Sequence, residues 1–190
     1  MTTDRCRETL RERVAEIRML VPEGSLLSGI AHEIREMVLA YQSDGYDFEC
    51  RGDAVNACAS YAYALGWLDA GCSIGIISAG NPDRGWFVSA SQSPDHGDIR
   101  LEEKTARYRK LLRTACDVAL PAPDTGSLLL SGSEKIMMTG RTFLIFGETA
   151  MGDHREWVAL SCFSYGFGWL DAGIRAGFLT AQKNRDIFTI

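Results

Sequence analysis

Two short segments hold most of the side chains that could recognise a ligand. They are Tyr63, Trp67 and Asp69, and Tyr165, Trp169 and Asp171. Tyrosine and tryptophan four residues apart share one face of a helix. With the aspartates they could line a shared cleft for a cationic or aromatic ligand. The structural reading of the same residues makes Trp67 and Trp169 core anchors, because tryptophan among small apolar residues is usually buried. A carboxylate in such a helix then needs a partner to offset its desolvation. Arg7 and Arg11, with their counterparts Arg109 and Arg113, are the expected partners, each aspartate pairing within its own copy.

Other chemistry finds no support in the spacing. His32, His96 and His154 are the only histidines, and none forms an H-x-x-x-H or H-E-x-x-H pair, so no metal is expected. Gly66, Gly71, Gly75 and Gly80 do not make a phosphate loop, and no serine stands in a nucleophile elbow. No catalytic residue and no cofactor are assigned. The six cysteines Cys6, Cys50, Cys58, Cys72, Cys116 and Cys162 include no C-x-x-C pair. They read as free thiols in a reducing cytoplasm.

The two segments belong to an internal repeat. Gly66-Trp67-Leu68-Asp69-Ala70-Gly71 recurs letter for letter as Gly168-Trp169-Leu170-Asp171-Ala172-Gly173, an offset of 102 residues. The same offset carries Gly24-Ser25-Leu26-Leu27 onto Gly126-Ser127-Leu128-Leu129, Tyr63 onto Tyr165, and Arg7 and Arg11 onto Arg109 and Arg113. The chain therefore reads as a tandem duplication: a first unit over residues 1–80, a linker over 81–103, and a divergent second unit over 104–190.

Each unit reads as three helices. Cys6, Leu10, Val14, Ile17 and Val21 form an apolar stripe that Pro22-Glu23-Gly24 stops. Leu27, Ile30, Ile34, Met37, Val38 and Tyr41 form a second, between Ser25 as cap and Asp44-Gly45 as turn. Gly52-Asp53 opens the third, which runs to Gly80-Asn81-Pro82. In the second unit Tyr108, Leu111, Leu112, Ala115 and Val118 carry the first stripe, and Asp153 with Glu156 reads as a capping box for the last helix. The middle element, residues 126–147, contains Gly126, Gly132, Gly140 and Gly147. Interior glycines cost about 1 kcal/mol each in a helix, which leaves a break or an extended piece over Thr142–Phe146 open. By analogy with the first copy it is expected to be helical.

These elements predict an all-α fold, two tandem three-helix units packed as a pseudo-twofold helical bundle. Both Gly-Trp-Leu-Asp-Ala-Gly helices should lie near its centre. Ala62, Gly66 and Ala70 make a ridge of small side chains that lets another helix approach.

Gly52-Asp53, Val55-Asn56-Ala57 and Tyr63-Ala64-Leu65-Gly66-Trp67-Leu68-Asp69-Ala70-Gly71 together resemble the archaeal family called domain of unknown function 357. The resemblance implies a compact helical unit of this size and an archaeal source. It carries no established activity. The second copy departs from the pattern, with His154 and Arg155 at the offset of Gly52 and Asp53 and Gly152-Asp153 two residues earlier.

Charge and hydropathy bound the partners. Twenty Lys and Arg against 25 Asp and Glu in 190 residues give a net charge of −5, so no nucleic-acid partner is expected. The apolar run Ala57–Gly80 has the length of a membrane span, but Asp69 near its centre would cost about 2.5–3.5 kcal/mol, and no span is expected. Trp86-Phe87-Val88 in the linker could be a binding anchor or fold back over the bundle. The function expected is a noncatalytic interaction or scaffold protein that binds a protein partner or self-associates in the cytoplasm. The alternative is a small-molecule-binding or enzymatic protein with its site where the two copies meet.

Overall fold

The computed structural model describes residues 2–80 and 98–189; the Trp86-Phe87-Val88 segment lies outside them. The first copy comprises α1 (Thr2–Ala15), β1 (Arg18–Met19), α2 (Ser28–Cys50), α3 (Ala54–Ile74) and β2 (Ile77–Ser78). The second comprises α4 (Ile99–Val118), β3 (Ala119–Pro121), α5 (Leu130–Gly152), α6 (Glu156–Arg175) and β4 (Leu179–Ala181), followed by a 3-10 turn at Arg185–Ile187. The fold is a helical bundle of two tandem three-helix units.

α3 and α6 form its centre. From Val55 to Gly71 and from Val158 to Gly173 almost every residue is buried, as a helix apolar on all sides requires. The two helices touch backbone to backbone at Gly66 and Gly168. A Cβ on Gly66 would overlap the carbonyl oxygen of Tyr165, and one on Gly168 would overlap that of Tyr63. Paired contacts recur at the repeat offset. The ring of Tyr61 lies on Gly45 and that of Phe163 on Gly147, while Gly71 meets Ile34 and Ile77 as Gly173 meets Ile136 and Leu179. These reciprocal contacts make the arrangement pseudo-twofold.

Several boundaries differ from those the sequence suggests. The first helix stops at Ala15, and Arg18–Met19 pairs antiparallel with Ile77–Ser78. Ile17, Met19 and Val21 still pack on the core, but from outside the helix, because the chain leaving α3 offers a strand to pair with. The second copy repeats this pairing, Pro121 opposite Leu179 and Ala119 opposite Ala181.

Asp44-Gly45 is not a turn: α2 continues to Cys50, and Gly45 is the place where the Tyr61 ring packs against it. Ser25 does not cap that helix; Leu27 holds the cap position, with no side-chain hydrogen bond. α3 ends earlier than Gly80. Gly75, at φ +84°, closes it with its N–H on the carbonyls of Gly71 and Cys72.

The glycine-rich middle element of the second copy is one continuous helix from Leu130 to Gly152, Thr142–Phe146 included, and Gly126 lies in the turn before it. Gly132 lies under Phe178, Gly140 under Leu170 and Gly147 under Phe163, so close packing offsets the weak helix propensity. The Asp153–Glu156 capping box does not form. Asp153 closes α5, and Arg155 holds the cap position of α6, where its side chain makes no capping bond. In the first copy the corresponding Asp53 accepts from the Asn56 N–H at 3.1 Å.

Candidate functional site

The crossing of α3 and α6 joins four of the six sequence-predicted site residues, as two reciprocal pairs. Tyr63 of the first copy donates its hydroxyl to Asp171 of the second. Tyr165 of the second donates to Asp69 of the first at 2.6 Å. Each tyrosine leans on an aromatic side chain of its own unit, Tyr63 on Tyr41 and Tyr165 on Phe143, both with ring centroids 4.4 Å apart. Trp67 and Trp169 sit 6.3 and 6.4 Å from those tyrosines. Both indoles are buried, and neither Nε1 has an acceptor among the described residues.

The aspartates differ in their remaining partners. Asp69 forms a buried ion pair with Arg13, 2.6 Å from Nη1. The guanidinium is also held by its Nε–H donating to the Ala79 carbonyl at 3.0 Å. Arg7 and Arg11, the expected partners, bind Glu49 and Glu8 instead. The phase of α1 explains this. Arg13 continues the buried face of Cys6 and Leu10, and Arg7 and Arg11 each sit one position off it.

Asp171 has no arginine, because Ala115 stands at the offset of Arg13. It accepts instead from the Thr189 backbone N–H at 2.9 Å. Arg109 and Arg113, its expected partners, both bind Glu148. Burial pushes the Asp171 carboxyl above the ordinary carboxylate range, against the pull of the Tyr63 and Thr189 hydrogen bonds. The Tyr63 hydroxyl is likewise pushed well up by burial and by the neighbouring carboxylate.

Trp67 also forms part of the wall of a cavity of about 310 Å³ where the copies meet, with Glu33, Glu36, Arg175 and Thr189. Arg175 binds Glu33 across it through Nε and Nη2, at 2.7 and 2.9 Å. Among the described residues no three His, Cys, Asp or Glu side chains come together to hold a metal, and no helix is long and apolar enough to cross a membrane. The six cysteines are free thiols, Cys58 lying 3.2 Å from Ser161 Oγ.

Two further features were not singled out from the sequence as sites. The first is the repeated Gly-Ser-Leu-Leu turn ahead of α2 and α5. Leu26 is 94% and Leu128 96% exposed, held outward by turns that Ser28 Oγ closes onto the Ser25 carbonyl at 2.8 Å and Ser127 Oγ closes with the Leu129 N–H at 3.2 Å. The exact repeat was visible; the exposure was not.

The second is an apolar groove of about 640 Å³ along α5, walled by Phe143, Phe146 and Ala150 on that helix and by Val158 and Cys162 on α6, with Arg155 at one end. Burial pushes the Cys162 thiol up to about 12, although Arg155 pulls it the other way. The repeat offset contained a signal for this groove, because Ala150 stands where the first copy has Phe48.

The family model for the proteins of unknown function DUF357 matches residues 7–77 and matches again over residues 107–179. No curated protein and no solved structure matches the chain.

Proposed function

The chain belongs to the DUF357 family, as two copies in tandem, and we propose that it is a noncatalytic cytoplasmic interaction protein that binds another protein, or a second copy of itself, through its paired leucine turns. The observation that carries this reading is the exposure of Leu26 and Leu128. Both copies retain the same four residues, Gly-Ser-Leu-Leu, yet neither leading leucine packs against the fold. Exposed apolar side chains at corresponding places on a pseudo-twofold molecule suit a bivalent contact. The polar groups at the centre support a structural role there, since each aspartate is already bound by groups of the protein. Free thiols suit a reducing compartment, and the net charge of −5 suits a partner other than nucleic acid.

The test is site-specific photo-crosslinking from position 26 or 128 in the native extract, alongside sedimentation velocity of the purified protein. Both positions should capture the same protein, or a second copy of the chain. Leu26→Ser with Leu128→Ser should remove the adduct at unchanged melting temperature. A monomer that gives no adduct beyond that from an exposed control position such as Glu102 would defeat the reading.

The second reading, a small-molecule site where the copies meet, rests on the cavity beside Trp67 and its carboxylates Glu33 and Glu36. A cation such as a polyamine suits that lining, and should raise the melting temperature of the wild type but not of Glu33→Gln with Glu36→Gln.

A further inference from the structure

The two copies are controls for each other, because each position in one has a known counterpart in the other. The face of α2 that corresponds to the α5 groove carries Asp44 and Phe48, with Asp53 and Asn56 at the start of α3. Phe48 packs against the core there, and Asp53 is committed to capping α3 through Asn56. In the second copy these four positions are Phe146, Ala150, Arg155 and Val158. A filler has become small, two polar positions have become apolar, and a capping carboxylate has become a guanidinium.

The outcome is an open trough with aromatic walls. Phe146 remains 55% exposed and Met138, further along the same helix, 68% exposed. Apolar side chains left in water are a liability unless something covers them. The groove is lined from Lys135 to Asp153, a length of about 27 Å at the rise of an α-helix.

One polar atom of the residue at its end lacks a partner. Arg155 Nε is shielded from solvent and has no acceptor among the described residues. A buried donor on a charged group is costly to leave unmatched. The adjoining N-terminus of α6 carries no side-chain cap, and Glu156 is the acidic side chain in its first turn. The lining holds Lys135 at one end and Arg155 with Asp153 at the other, two cationic groups against one carboxylate.

We propose that the α5–α6 groove of the second copy binds a long-chain aliphatic carboxylate, its head group accepting from Arg155 and its chain lying over Phe143, Phe146 and Ala150. The volume is within the range of small-molecule sites and exceeds what one such chain needs. The occupant is an amphipathic anion because the walls are apolar while the one unmatched donor is cationic. The site is separate from the leucine turns, and Leu26→Ser with Leu128→Ser should leave it unchanged.

The test is titration calorimetry of the full chain with dodecanoate below its micellar concentration, with dodecanol and dodecyltrimethylammonium as probes of the same chain length. Dodecanoate should bind saturably, one per chain, and about tenfold or more tightly than either control. Arg155→Gln should remove that preference while leaving dodecanol binding unchanged. Ala150→Phe, which installs the first copy's filler, should abolish binding of every probe without lowering the melting temperature. If that variant fails to fold, Phe146→Asp, the first copy's residue at an exposed position, should do the same. Dodecanoate binding that survives Ala150→Phe or Phe146→Asp, equal affinity for all three probes, or binding only as micelles form would each overturn the proposal.

Discussion

Tyr63 and Asp171 are 108 residues apart and belong to different copies, yet the hydroxyl of one is the principal donor to the carboxyl of the other. The reciprocal bond from Tyr165 to Asp69 joins the copies a second time. The two bonds are not equivalent in energy. Asp69 keeps Arg13 when its tyrosine is removed, whereas Asp171 keeps only the Thr189 N–H among the contacts described above. Tyr63→Phe should therefore destabilise the protein by about 2–3 kcal/mol, and Tyr165→Phe by about 1 kcal/mol. Denaturant midpoints of the two variants check the ordering; equal losses would mean that Arg13 does not support Asp69.

The raised Asp171 carboxyl predicts a pH dependence. Its folded-state value lies above the unfolded value of about 3.9, so the folded protein holds the proton more tightly. The stability this supplies is fully present below the unfolded value and is lost as pH rises through the folded one. Asp171→Asn removes that dependence. The melting temperature of the variant relative to wild type should rise as pH increases above the unfolded value of about 3.9. A difference that stays flat would show that the carboxyl titrates normally.

Arg13 and Asp69 should be strongly coupled, being 6% and 8% exposed. Arg13→Ala strands a buried carboxylate and should cost about 3–5 kcal/mol, whereas Arg13→Met with Asp69→Leu should cost less than either single change. Arg7→Ala and Arg11→Ala, which remove exposed or half-exposed ion pairs, should cost at most about 1 kcal/mol each. Urea unfolding of these variants reads the whole set.

The glycines at the helix crossing allow a direct steric test. Gly66→Ala must push α3 away from the Tyr165 carbonyl and should cost about 1–3 kcal/mol or more. Gly29→Ala, in the first turn of α2 with open space around it, should instead stabilise by about 0.4–1 kcal/mol. If thermal unfolding shows both to be neutral, the close approach at Gly66 and Gly168 is wrong.

The helix caps separate the copies. Asp53→Ala removes the bond to the Asn56 N–H and should cost about 1 kcal/mol, while Asp153→Ala should change stability by less than about 0.5 kcal/mol. Equal losses in chemical denaturation would restore the Asp153–Glu156 capping box.

Much of this molecule is set by local pattern. The repeat offset, the three helices per copy and the burial of the Trp67 and Trp169 helices follow from residue order, because helical periodicity and the cost of wetting an all-apolar helix are properties of a short segment. The Asp53–Asn56 start of α3 lies within four residues and is equally local. The packing of segments distant in the chain determined the rest. Ile17 and Val21 continue a helical stripe but leave the helix, since Arg18–Met19 between them finds a distant strand partner in Ile77–Ser78. Gly45 has the look of a turn and serves as a seat for Tyr61. The partner of Asp69 was readable in part, because Arg13 lies on the buried stripe of α1; the tyrosine of the opposite copy was not, because nothing in either segment encodes how two helices cross. The α5 groove likewise exists only when Ala150, Phe146 and Val158 face one another across two packed helices. A cavity is a property of facing surfaces, and no single stretch of sequence contains it.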